Sequence, residues 1–312
     1  MGRNGCFPIC VCHSANSLHS MKPVRLFLLL LFLGAASRSF AAKVDTLDIP
    51  SAAMQKTYRA AVVLPASYAK NKKVAYPVLY LLHGAYGHFN DWISKTPDKT
   101  LLHRLADQYN LIIVTPEGET FSFYLDSPVN KASQFETYIT KEVIDKIDNT
   151  YRTVRSSKGR VITGLSMGGH GALYLSARHP ELFAAAGSMS GALDLSITNR
   201  KLNSEEAKQR QSLFNPILGP ETPAPSVYSA NSVVNMADKL YSNGLPLIID
   251  CGVDDFLIEI NREVHHRLTY NHTPHDYTER PGAHTWEYWE NALPYHVLFF
   301  QKVLKANAVA VQ

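Results

Sequence analysis

The residues of this chain best placed to do chemistry are a serine, a pair of aspartates and a histidine, met in that order. Ser166 lies in Arg160-Val-Ile-Thr-Gly-Leu-Ser-Met-Gly-Gly169, an apolar run followed by Gly-x-Ser-x-Gly and further small residues. That succession predicts a strand, a sharp turn and a helix start, with the serine hydroxyl lifted out where a base and a substrate can both reach it. Glycines flank the serine because so tight a bend leaves little room for side chains. The chemistry is nucleophilic: attack of Ser166 on an ester carbonyl to give a covalent acyl-enzyme. A bare Gly-x-Ser-x-Gly arises by chance in roughly one chain of this length in ten, so the weight rests on the other groups.

A serine nucleophile needs a base to take its proton and an acid to orient that base. With the serine on a strand-to-helix turn, the partners follow it as acid and then histidine. Leu247-Ile-Ile-Asp-Cys-Gly-Val-Asp-Asp255 puts Asp254 and Asp255 just past an apolar strand, where open α/β sheets gather functional groups. Spacing alone leaves both in play. Tyr277-Thr-Glu-Arg-Pro-Gly-Ala-His284 sets the histidine in a loop behind a glycine turn, ahead of an aromatic helix. Of the other histidines, His265, His266, His272 and His275 fall in a helix or at its polar end, positions of solvation. The loop His83-Gly-Ala-Tyr-Gly87, after the apolar run 78–82, is the expected source of an oxyanion site. Its donors would be the backbone N–H groups of Met167 and Ala85. His83, Tyr86, Phe89, Trp92, Tyr124, Asp126 and Trp286 are expected to line a substrate pocket.

The elements that must position these groups follow from hydrophobic periodicity. Segment 57–64 alternates and is stopped by Pro65, which predicts an early antiparallel strand. Continuous apolar runs at 78–82, 111–114, 160–163, 184–189 and 247–250 predict strands buried on both faces, as in a parallel sheet. Helical patterns occupy 100–109, 133–151, 169–178, 256–270 and 285–306. This alternation predicts an α/β fold, a mostly parallel central sheet flanked by helices on both faces. Segment 194–230, polar and holding an Asn-Pro and a Thr-Pro-Ala-Pro stretch, is the expected lid or excursion.

The N-terminus reads differently. Met21-Lys-Pro-Val-Arg25 precedes the apolar block 26–33 and small residues ending in Ser39-Phe-Ala-Ala42, the layout of a secretory signal peptide. Residues 1–41 are thus expected to be a signal peptide cleaved after Ala41, with 1–20 an upstream extension and Met21 the expected true start. The chain from 42 to 312 would be a single domain, secreted or periplasmic. The apolar block is too short for a stable membrane anchor. Cys6, Cys10 and Cys12 lie before the cleavage site, leaving Cys251 as a small buried hydrophobe. A net charge of +4, with no Lys/Arg-rich run interleaved with aromatics, gives no basis for nucleic-acid binding. Nothing in the sequence reports an oligomeric state.

Tyr80-Leu-Leu-His-Gly84, Phe123-Tyr-Leu-Asp-Ser127, Gly164-Leu-Ser-Met-Gly-Gly169, Cys251-Gly-Val-Asp-Asp-Phe256 and His284-Thr-Trp-Glu-Tyr-Trp289 together resemble the esterase D family of α/β-hydrolases. Its members include S-formylglutathione hydrolases, tributyrin-type esterases, feruloyl and acetyl-xylan esterases, and mycolyltransferases of the antigen 85 type. The resemblance covers about residues 45 to 305. It implies Asp255 as the acid, because the family pattern Gly-x-x-Asp matches Gly252-Val-Asp-Asp255. It also implies that no metal or other cofactor takes part. The expected function is a secreted serine carboxylesterase acting on short-chain or aromatic esters, small-molecule or carbohydrate-linked. The alternatives are an acyltransferase using a sugar hydroxyl and a thioesterase resembling S-formylglutathione hydrolase. A signal peptide argues against the last, since glutathione adducts are cytosolic.

Overall fold

Eight strands form one sheet: β1 (Lys43–Ser51), β2 (Lys56–Leu64), β3 (Val78–Leu82), β4 (Ile112–Pro116), β5 (Arg160–Gly164), β6 (Ala185–Met189), β7 (Leu247–Gly252) and β8 (His275–Arg280). The computed structural model describes residues 42–196, 203–221 and 226–311. The signal-peptide assignment falls outside them. The strand order is β1-β2-β4-β3-β5-β6-β7-β8. β1 and β2 pair antiparallel with each other, and β2 pairs antiparallel with β4. All later pairings are parallel.

The strands sort their side chains by parity. Val78, Tyr80 and Leu82 of β3 enter one core, with Ile112 and Val114 of β4, Ile162 of β5 and Ile249 of β7. Leu79 and Leu81 enter the other, with Ile113, Val161 and Ile248. Every residue of β3 to β7 is buried. Apolar side chains on both faces of a strand are what crossover helices on both sides require. The second core is covered by α1 (Leu101–Tyr109) and by α7 (Trp286–Ala306). The first is covered by α2 (Ile144–Thr150), α3 (Met167–Arg178), α4 (Ser204–Leu218), α5 (Ala237–Asn243) and α6 (Ile258–Tyr270).

Three departures from the sequence expectation matter. β1 is an edge strand with most residues exposed or half-buried, so it lacks the apolar run that marks the others. The helical stretch expected over 133–151 begins at Phe135 and passes through a π-helical segment, Tyr138–Val143, before α2. Segment 194–230 is not simply a polar excursion, because it carries α4. Asn203 caps that helix in a reciprocal capping box with Glu206, satisfying N–H groups that the first turn leaves without partners. Phe214, Ile217 and Leu218 are buried beneath it, and Phe214 packs on Phe121, Phe123 and Tyr228.

Candidate active site

Ser166 sits between β5 and α3 with φ 55° and ψ −114°, a conformation that residues other than glycine adopt only when the surroundings over-determine it. Here they do. The Ser166 N–H donates to Met189 O at 2.9 Å, and its own carbonyl accepts from the N–H groups of His170 and Ala192 at 3.0 and 3.1 Å. The tightness explains the glycines. A Cβ on Gly164 would stand 2.6 Å from the Gly168 backbone, and one on Gly168 would meet the carbonyls of Leu82 and His83. Ser166 remains partly exposed.

His284 Nε2 lies 3.0 Å from Ser166 Oγ, and His284 Nδ1 lies 2.8 Å from Asp255 Oδ2. The turn after β7 fixes the acid: Asp255 N–H donates to Gly252 O at 3.1 Å, and Leu257 N–H donates to Asp255 Oδ1 at 2.8 Å. Burial alone would raise the pKa of Asp255. The hydrogen bonds from His284 and the Leu257 N–H outweigh it and hold the carboxyl below the usual carboxylate range. Asp254, by contrast, is exposed. Its N–H donates to Gly282 O at 2.9 Å, which ties the acid-bearing turn to the loop that carries His284.

The loop from His83 to Gly87 lies against the serine, since a Cβ on Gly84 would come within 3.4 Å of Ser166 Cβ. Met167 opens α3, so its N–H has no intrahelical acceptor. The loop itself is braced by Trp92, Tyr124 and His83, which were expected to line a substrate pocket and are instead buried. Trp92, fully buried, donates Nε1–H to Leu82 O at 3.1 Å. Tyr124, also fully buried, donates its hydroxyl to His83 O at 3.0 Å. His83 is buried too. Its Nε2 accepts from Gly118 N–H at 2.8 Å, so Nδ1 holds the proton that meets Gly84 O at 2.8 Å. Large aromatics contribute most where they are covered; Trp92 and Tyr124 support the loop from behind, and the His83 ring ties its start to Gly118.

Asp126 is also displaced from the expected role. Its carboxylate accepts from the N–H and hydroxyl of Thr137 at 2.9 and 2.6 Å, anchoring the helical run behind α2. Phe89 carries the Arg59 guanidinium over its ring. Tyr86 is exposed, at positive φ, with its ring tilted against Phe121. Trp286 is half-buried and packs edge-on against both Trp92 and Trp289. Two neighbours of the site were not expected. Ser190 follows β6, and its Oγ accepts from Trp289 Nε1 at 3.1 Å. Phe256 lies against His284. A serine just beyond a strand's C-terminal end was the available signal for the first; the second stood in the family-like stretch 251–256 without an expected role.

Cys251 is buried, and burial pushes its thiol pKa up. Among the described residues no group of three or more His, Cys, Asp or Glu side chains is spaced to hold a metal ion. Nor is any helix there long and apolar enough to cross a membrane.

A family model named Esterase, described as "Putative esterase", matches residues 51–300. The chain belongs to this esterase family. By that membership it is an enzyme, a carboxylic ester hydrolase. An acetyl esterase of Caldicellulosiruptor saccharolyticus is 28% identical over 213 residues, 68% of this chain and 78% of its own length. A protein named diacylglycerol acyltransferase/mycolyltransferase Ag85B, from Mycobacterium leprae, is 28% identical over 285 residues, 79% of this chain and 80% of its own. Among solved structures, a ferulic acid esterase superposes with TM-score 0.70 at 28% identity, covering 85% of this chain and all of that one. These esterases share the α/β-hydrolase fold, and the eight-stranded, mostly parallel sheet is that fold.

Proposed function

We propose that this esterase is an exported serine carboxylesterase that cleaves short-chain or aromatic esters through an acyl-enzyme on Ser166. The observation that supports it best is the continuous chain Ser166 Oγ, His284, Asp255, at 3.0 and 2.8 Å, on a serine held at positive φ. In this reading His284 takes the serine proton and returns it to the departing alcohol, and Asp255 steadies the imidazolium that forms. The Met167 and Ala85 N–H groups hold the oxyanion. The names of the acetyl and ferulic acid esterases support the choice of acyl groups, and the basic, apolar and small-residue succession before Ala42 supports export.

The test is Ser166→Ala against p-nitrophenyl acetate, with circular dichroism to confirm folding and a fluorophosphonate probe read by mass spectrometry. Turnover and labelling should both vanish from a folded variant; unchanged turnover overturns the reading. The likeness to the Mycobacterium leprae protein favours a second reading, transfer of the acyl group to a sugar hydroxyl in place of water. Product analysis with and without sugar acceptors separates the two.

A further inference from the structure

Two aromatic rings touch His284. Trp289 is buried and meets the imidazole edge-on, at 4.9 Å between centroids. Phe256 meets it tilted, at 4.6 Å, and is 76% exposed. The turn that presents Phe256 is firmly held. Asp255 and Leu257 on either side are buried, and Ile258 N–H closes the turn on Asp255 O at 3.0 Å. A lone exposed hydrophobe needs no explanation, but this one is fixed in contact with the group that exchanges protons with Ser166.

The position follows the chemistry. In acylation the bond from Ser166 Oγ to the acyl carbon forms, and the bond from that carbon to the alcohol oxygen breaks. The serine proton passes through His284 Nε2 to that oxygen, which leaves as neutral alcohol. For this the alcohol oxygen must come within hydrogen-bond reach of Nε2, so the alcohol half of the ester lies beside the ring that Phe256 touches. In deacylation water takes its place. We propose that Phe256 is a specificity-determining residue that recognises the alcohol half of the substrate. It selects alcohols presenting a flat apolar face, whether an aryl ring or the C–H face of a pyranose. This rests on the serine-esterase reading above.

Phe256→Ala and Phe256→Tyr are compared with wild type on ethyl acetate, phenyl acetate and an O-acetylated methyl xylopyranoside, which share one acyl-enzyme. For phenyl acetate, the pyranoside or both, kcat/KM should fall about fivefold to tenfold in Phe256→Ala and recover in Phe256→Tyr. Ethyl acetate should stay within about twofold, and the pH–rate profile should not move. Which of the two flat esters suffers identifies the alcohol. Equal losses on all three esters with a shifted pH profile would make Phe256 a support for His284 and overturn the proposal, as would no loss on any. Wild type inert toward all three and unlabelled at Ser166 overturns the esterase reading itself, a result distinct from either.

Discussion

Gly168→Ala puts a single methyl group where two functional elements meet. The added Cβ would stand 2.6 Å from the carbonyl oxygens of both Leu82 and His83, and ordinary contact begins near 3.4 Å. The start of α3 must therefore separate from the end of β3 by about 0.8 Å. Those carbonyls are also pinned by Trp92 and Tyr124, so the loop has little room to yield. In stability the change nearly cancels. Alanine for glycine inside a helix gains about 1 kcal/mol, and overpacking costs about 1–3 kcal/mol. The net loss of about 0–2 kcal/mol corresponds to a few degrees in Tm for a chain of this size. Activity does not cancel. Donors must lie about 2.7–3.1 Å from the oxyanion, and losing one costs about 100-fold to 1,000-fold in kcat. The assay pairs thermal melting with kcat on p-nitrophenyl acetate. A folded variant with kcat within about threefold of wild type would refute the assignment of the oxyanion site to this junction.

Asp255→Asn should lower kcat by about 10⁴-fold, because the amide holds the wrong imidazole tautomer, while Asp254→Asn should stay within about twofold; a large loss in the second variant would reverse the assignment. Stability should depend on pH through Glu136, whose carboxylate accepts from Arg178 Nε and His179 Nε2 at 2.7 Å and from the Tyr174 hydroxyl at 3.0 Å. Burial raises the pKa of Glu136, but the His179 and Arg178 hydrogen bonds outweigh it and bring it from 4.5 to about 2. The folded-state value is depressed, so the stabilisation is complete above about pH 4.5 and disappears as pH falls toward 2. It amounts to at most roughly 3 kcal/mol. Urea midpoints across that range should fall less steeply for Glu136→Gln than for wild type, and parallel curves would refute it.

What the sequence made legible was whatever rests on continuous burial. β3 to β7 announce themselves because both faces are covered, and all five expected helices begin within two residues of their expected starts. β1 was silent because an edge strand with charged residues on it has no apolar period to detect. α4 was hidden by Pro216 and a polar composition, although Asn203 followed three residues later by Glu206 was a readable start. The Ser-Asp-His order was visible; spacing left Asp254 and Asp255 both open, the family pattern pointed to Asp255, and the turn that buries Asp255 and exposes Asp254 supplies the physical reason. Aromatic residues gave the least reliable guide. Trp92 and Tyr124 have the composition of a binding rim and the burial of a core, and only packing tells these apart.

The hydrogen bond between His284 and Ser166 joins residues 118 positions apart, and β8, which leads into His284, is the last strand of the chain and lies at an edge of the sheet. In the proposed mechanism, Ser166 has no base until β8 pairs with β7. Local helix formation precedes such long-range closure because the entropy of bringing distant segments together is paid late. During refolding, helical circular dichroism should therefore return before hydrolysis does. On the proposed mechanism, a chain that has not yet docked β8 should be chemically silent, and its first turnover should report that docking.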